Sequence, residues 1–200
     1  MIFVLAEKIK GSYKADIQVQ VTIKLKNLVD CQNIQVKLVS NMKGYNQIDK
    51  RWLKNYNELW NIPDDVFKIL QYYTGELSPY TKNTKDKRRM FVNEMTDLEQ
   101  YKLVSWIADN EYLIISDILK GRGKFSAEWV LVIQKIGILK WVLKPINVVM
   151  NYYSKGGVSI TPSGNIKIGK ITMQRKGGDN GRPTANMLQF KLDPTELFLI

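Results

Sequence analysis

The sequence predicts an α/β fold: one domain spanning 1–200, built on a mixed central sheet flanked by helices. Three observations carry that expectation. Near the start, Ile17, Val19, Val21, Ile23 and Leu25 alternate with Gln18, Gln20, Thr22, Lys24 and Lys26, just as Ile34, Val36 and Leu38 alternate with Gln35 and Lys37. A period of two marks half-buried strands. Further on the period lengthens: Thr96 and Glu99 form a capping-box pair ahead of a helix carrying Leu103, Trp106 and Ile107. Finally, 200 residues at 44% hydrophobic and 24% charged suffice for one domain with a real core, and no apolar run reaches membrane-spanning length.

The first two strands carry the chemistry. As antiparallel partners folding back near Lys26 to Asp30, they place Asp16 opposite Lys37, Ile17 opposite Val36 and Gln18 opposite Gln35. Apolar then meets apolar, and Asp16, Gln35 and Lys37 gather on the polar face, whereas a slip of one residue destroys the match. A carboxylate, a second side-chain oxygen and a strand carbonyl can hold Mg²⁺, while an ammonium stabilises developing charge. The arrangement reads as a metal-dependent nuclease site of the PD-(D/E)xK kind with glutamine in the usual acidic position. Gln35 supplies only a neutral oxygen, so the site is less negative than one with Glu. On the spacing alone an ordinary amphipathic hairpin is the better reading.

Composition narrows the choice. Lys+Arg 30 against Asp+Glu 19 gives a net charge of +11, which favours an anionic partner, nucleic acid first. Histidine is absent, which removes triads that need an imidazole, histidine metal sites and histidine-based nucleases. Met1 to Ala6 is too short for a signal-peptide core, and the single cysteine, Cys31, fits a reducing cytoplasm.

Along the remainder, Ile48, Trp52, Tyr56 and Leu59/Trp60 recur at helical spacing, predicting a helix over 47–60 with Lys50, Arg51 and Lys54 on a basic face. Pro63-Asp64 opens a second helix that ends before Gly75, followed by a loop from Leu77 to Arg89 holding Lys82, Lys85, Lys87, Arg88 and Arg89. That loop is either a phosphate-contacting patch or a solvated one. Tyr112 to Ile115 and Trp129 to Ile133 read as short buried strands, with a helical turn over Asp117 to Lys120 and a flexible turn at Gly121 to Lys124 between them. Another helix is expected over Pro145 to Tyr153. Gly164 with Gly169-Lys170 imitates a P-loop, but Ile171 stands where Ser or Thr must hold Mg²⁺, and Ile166, Ile168 and Thr172 belong to an alternating strand.

Leaving that strand, Gln174, Arg175, Lys176, Asp179, Asn180 and Arg182 crowd a glycine-punctuated loop. Arginine can read guanine bidentately, Asn and Gln adenine, and Asp the cytosine amine, while glycines let backbone approach a groove. A polar surface hairpin is the plainer alternative. Asn186, Gln189 and Lys191 extend the polar character.

The runs IQVKLVS (Ile34 to Ser40), NQIDK (Asn46 to Lys50), NTKDKRRM (Asn83 to Met90), AEWVLV (Ala127 to Val132), QRKGGDNGR (Gln174 to Arg182) and TANMLQFK (Thr184 to Lys191) resemble type II restriction endonucleases of the Hin-P-one-I type. The resemblance covers nearly the whole chain. It implies a restriction-endonuclease-like fold and Mg²⁺-dependent cleavage of double-stranded DNA within GCGC, leaving a short 5′ overhang. Asp16, Gln35 and Lys37 would be catalytic, with Asp16, Gln35 and the Val36 carbonyl on the metal. Tyr45, where the family has phenylalanine, and Gln47 would approach the minor groove, and the loop from Gln174 to Arg182 the major groove. Lys50, Lys87, Arg88 and Arg89 complete the expected DNA-binding set.

The family pattern has a helical lead-in of several tens of residues and a serine beside the aspartate, where this sequence has fifteen residues and Ala15. Loss of a lead-in would leave a truncated or weakly active chain. A catalytically dead, sequence-specific DNA-binding protein and a non-specific repair-type nuclease are the alternatives. A methyltransferase acting on the same site is the expected functional partner. Membrane association is not expected, and the oligomeric state stays open.

Overall fold

The computed structural model describes residues 2–11, 14–23, 28–41, 45–178 and 181–200. In chain order these form strands β1 (Ile2–Lys8), β2 (Ile17–Ile23), β3 (Leu28–Val39) and β4 (Asn46–Arg51), and helices α1 (Leu53–Trp60), α2 (Asp64–Thr74), α3 (Asp97–Asp109) and α4 (Glu111–Leu119). There follow β5 (Trp129–Gln134), β6 (Lys140–Pro145), α5 (Ile146–Tyr153), β7 (Val158–Ile160), β8 (Ile166–Ile168), β9 (Ile171–Arg175) and β10 (Leu188–Leu192). The chain divides into two compact units, one comprising 1–46, 115–152 and 193–200, the other 47–114 and 153–192.

Each unit is built on its own five-stranded sheet. In the first the order is β1-β2-β3-β5-β6, and the parallel β3–β5 pair among antiparallel neighbours makes it mixed. In the second, β4-β10-β9-β8-β7, the β7–β8, β8–β9 and β9–β10 pairs are antiparallel. The α/β class with helices and mixed pairing stands, spread over two sheets rather than one.

The β2–β3 register differs from the expected one by two residues. Ile17 pairs with Ile34 and Gln18 with Asn33, where the expected partners are Val36 and Gln35; the ladder stops at Ile17, and the Asp16 N–H donates to the Ile34 carbonyl. A shift of two preserves every facing relation, because side chains alternate with a period of two. The chain returns as β3 at Leu28, and residues 24–27 of the expected turn lie outside those described.

Burial on this sheet is the reverse of the expected pattern. Asn33, Gln35, Lys37 and Val39 share a face with Val130 and Val132, and Gln35 there is 3% exposed. On the same face Lys144, in register with Val130, donates to the terminal carbonyl of Ile200, and the turn over Pro194–Leu199 packs against β3, β5 and β6 with Leu197 buried. The alternate residues Ile34, Leu131, Ile133, Trp141 and Leu143 line an open apolar groove with Leu139, where Trp141 is 68% exposed. Alternation located the two faces, but not which one is covered.

Three elements differ from expectation in kind. The helix predicted over 47–60 is strand β4 followed by α1, whose stripe is Leu53, Tyr56 and Trp60. Sheet order places β4 beside β10, and this tertiary neighbour overrides the helical spacing of Ile48 and Trp52. Tyr112 to Ile115 is the first half of α4, since a short apolar run reads alike as buried strand or buried helix. Ile166 to Thr172 is two strands with Gly169-Lys170 at their turn. Gly169 holds φ at +56° there, and a Cβ would lie 2.2 Å from the Tyr153 carbonyl oxygen, so the glycine serves a tight strand-to-strand turn rather than a strand-loop-helix unit.

Elsewhere expectation and structure agree. Helix α2 ends at Thr74 with Gly75 at φ +84°, and α3 begins with Thr96 accepting from the Glu99 N–H while Glu99 accepts from Thr96. Residues 77–89 form no regular element beyond a bridge between Asp86 and Arg89. Strand β5 and helix α5 lie where the sequence places them.

Candidate active site

Asp16 stands where β2 begins. Its N–H donates to the Ile34 carbonyl at 2.8 Å, its carbonyl accepts from Ile9 at 3.0 Å, and its Oδ2 accepts from the Val36 N–H at 2.7 Å. The neighbouring Ala15 is buried and donates to the Phe125 carbonyl, so the approach to Asp16 is fixed on both sides. These bonds fix the position of the Asp16 side chain against β3.

Two features of β3 then converge on that carboxylate. The Val36 N–H points to the edge where β2 has ended, and in an extended strand the C=O of the same residue projects to the same edge, so the Val36 carbonyl shares it with Asp16. Gln35 and Lys37, on either side of Val36, share the covered face, with Lys37 half-buried beside Val132. The donor set available to a cation is one carboxylate, one amide oxygen and one backbone carbonyl. Hard oxygen ligands of this kind suit Mg²⁺, which keeps waters in its remaining positions. Among the described residues no cluster of three acidic or thiol groups offers a competing site.

Asn33 braces the strand. It accepts from Gln18 Nε2 at 3.0 Å, donates Nδ2 to the Lys124 carbonyl at 2.9 Å, and exchanges backbone contacts with Glu128, whose Oε2 accepts from the Asn33 N–H at 2.9 Å. Sequence reasoning missed both residues. For Asn33 the parity with Gln35 was the available signal, since a polar residue two positions before a site residue shares its face. For Glu128 no local signal exists.

The basic loop and the 174–187 segment belong to the other unit. Lys87 and Arg88 are exposed, and Asp86 takes Arg88 in a two-pronged ion pair at 2.8 and 3.0 Å. Arg89 is half-buried with its guanidinium 3.9 Å from the Phe91 ring centre, and burial pulls its pKa below the ordinary arginine value. Arg175, 8% exposed, donates Nε to the Thr74 carbonyl at 2.7 Å and Nη2 to Asn186 Oδ1 at 2.6 Å. Gln174 and Lys176 are half-buried and Arg182 is exposed, while Asp179 and Asn180 lie outside the described residues. Tyr45, in the first unit, and Gln47, in the second, are exposed, and Lys50 is half-buried.

A family model described as R.HinP1I restriction endonuclease matches residues 1–198. The chain belongs to that family. Among solved structures, the restriction endonuclease MspI, in complex with its cognate DNA, matches with a TM-score of 0.66 at 13% identity, over 94% of this chain and 70% of that one. At that identity the likeness establishes fold, and the fold is that of a restriction endonuclease. No curated protein matches. Membership of the R.HinP1I family makes the chain a type II restriction endonuclease, hence a sequence-specific DNA endonuclease.

Within this R.HinP1I-family chain, the candidate residues fall into two sets. In the first unit Asp16 meets the Val36 backbone at a strand edge while Gln35 and Lys37 flank Val36 on the covered face; Lys87, Arg88, Arg89, Gln174, Arg175, Lys176 and Arg182 lie in the second unit. Among the described residues no helix is long and apolar enough to cross a membrane.

Proposed function

We propose that this restriction endonuclease binds double-stranded DNA and hydrolyses it within GCGC with Mg²⁺ as cofactor, Asp16, Gln35 and the Val36 carbonyl holding the ion. The observation that carries the reading is the Asp16 carboxylate seated on the Val36 N–H at 2.7 Å, with Gln35 and Lys37 immediately before and after Val36 on β3. When bound, Mg²⁺ supplies positive charge to the scissile phosphate and lowers the pKa of the attacking water. The chain's own residues do the rest. Asp16 contributes the negative charge of the site, held in place by its backbone bonds. Gln35 presents a neutral oxygen, which keeps that charge low. Lys37 places an ammonium on the same face, where it stabilises charge on the phosphate as the attacking oxygen bonds to phosphorus and the leaving oxygen departs. Lys87, Arg88, Lys176 and Arg182 supply cationic contacts for the backbone and the groove. A methyltransferase modifying the same site is the functional partner that protects host DNA.

Plasmid incubated with the protein and Mg²⁺ tests the reading. Discrete fragments with ends inside GCGC are the expected result. A smear overturns sequence specificity, and a salt-sensitive gel shift without cutting, in Mg²⁺, assigns a binder whose neutral Gln35 leaves the site too weak for the ion.

A further inference from the structure

Arginine in a DNA-facing loop ordinarily extends towards solvent, because its long stem and charged head are costly to bury. Arg175 does the opposite. It is buried at the last position of β9, where Nε donates to the Thr74 carbonyl and Nη2 to Asn186 Oδ1. Asn186, at the far end of the same loop, turns its Nδ2 to the Gly75 carbonyl at 3.0 Å. The two side chains thereby form a chain of bonds that joins both ends of the 176–187 loop to the last carbonyls of α2. A helix C-terminus carries partial negative charge, so a cation there is electrostatically matched.

The basic loop meets the same helix end. Gly75 sits so close to it that a Cβ would lie 2.8 Å from the Arg88 carbonyl oxygen and 3.4 Å from the Arg89 Cβ. At the base of the other loop, Lys176 N–H donates to Met187 at 2.8 Å and Gly177 N–H to Ala185 at 3.0 Å, closing the loop on itself. Two loops with exposed cationic groups, Lys87 and Arg88 on one and Arg182 on the other, are thus fastened to one helix cap. We infer that Arg175 and Asn186 are positioning residues for sequence discrimination: they fix the two loops on the α2 C-terminus and contact no base themselves.

The inference rests on the proposed DNA-reading role of the two loops, and the experiment separates the two. Asn186→Ala, Arg175→Lys and Arg175→Gln are compared with the loop variants Lys176→Ala and Arg182→Ala. For each, kcat/KM is measured on a duplex containing GCGC and on one with a single base pair of the site changed, alongside the melting temperature. Lysine keeps the charge but offers no fork with which to reach Thr74 and Asn186 together. Arg175→Lys, Arg175→Gln and Asn186→Ala should each lower the cognate-to-altered ratio about tenfold, while cleavage of the altered duplex changes far less. Hydrogen exchange at 176–187 should quicken in the same variants, which keeps the test readable where Arg175→Gln folds poorly. Unchanged ratios in folded Asn186→Ala and Arg175→Lys overturn the clamp, as does an equal fall on both duplexes, the mark of a direct phosphate contact. Should Lys176→Ala and Arg182→Ala also leave both rates untouched, the DNA-reading role of the loop falls instead.

Discussion

Gln35 and Lys37 make different demands on one strand face. Lys37 is half-buried beside Val132, and in the proposed mechanism it acts through its charge, so Lys37→Ala would remove a stabilising group for the phosphate and leave the proposed metal donors in place. Cleavage should drop by about a hundredfold or more while cognate binding in a filter assay persists. Retained cleavage would remove Lys37 from the site. Gln35 is 3% exposed, and Gln35→Glu sets a carboxylate in that burial. Without a cation the change should cost about 1–3 kcal/mol of stability, because a buried charge lacks its solvent. Saturating Mg²⁺ should recover much of the loss, since the same charge then has a partner. Thermal melts with and without Mg²⁺ give the comparison, and a Glu variant equally destabilised in both conditions sinks Gln35 as a ligand.

At the scale of an element, helix α4 opens with Glu111, whose Oε1 is buried and has no hydrogen-bond partner among the described residues. Desolvation raises its pKa above the ordinary glutamate value. The sign follows directly: the folded state holds the proton more tightly than the unfolded chain, so the charged form penalises folding at neutral pH and the penalty fades as pH falls through the raised value. Glu111→Gln should therefore raise the melting temperature at pH 7 and give no gain in acid; an equal gain at both pH values would trace the effect to something other than ionisation. Helix ends such as Thr96 and Gly75 were legible in the sequence, because capping depends on residues within one turn. The identity of β4 and α4 was not, since the sheet neighbour β10 and the burial of Ile114, Ile115 and Ile118 are fixed by segments distant in the chain. The site followed the same division. Parity put Gln35 and Lys37 on one face of β3, whereas the bracing of Asn33 by Glu128 and of Arg175 by Thr74 spans about a hundred residues and left no periodic trace.

At the scale of the whole molecule, the proposed catalytic groups and the proposed DNA-reading groups occur in different compact units, and the net charge of +11 is shared between them. Each cation that neutralises a phosphate releases counterions, so binding must weaken steeply with salt. Location then decides which variants change the slope. Lys176→Ala and Arg182→Ala each remove one cation from the loop of the second unit, and each should reduce the slope of log affinity against log salt by about 1 if the group meets a phosphate. Lys37→Ala also removes one cation, but from a face already covered by the Pro194–Leu199 turn, so under the proposed role its slope should change less than theirs while its cleavage rate falls far more. Fluorescence titrations of a GCGC duplex at four or more salt concentrations, paired with cleavage rates for the same three proteins, resolve the two effects. A Lys37→Ala slope reduced as much as that of Arg182→Ala, with cleavage only weakly affected, would make Lys37 a backbone contact and move the chemistry elsewhere.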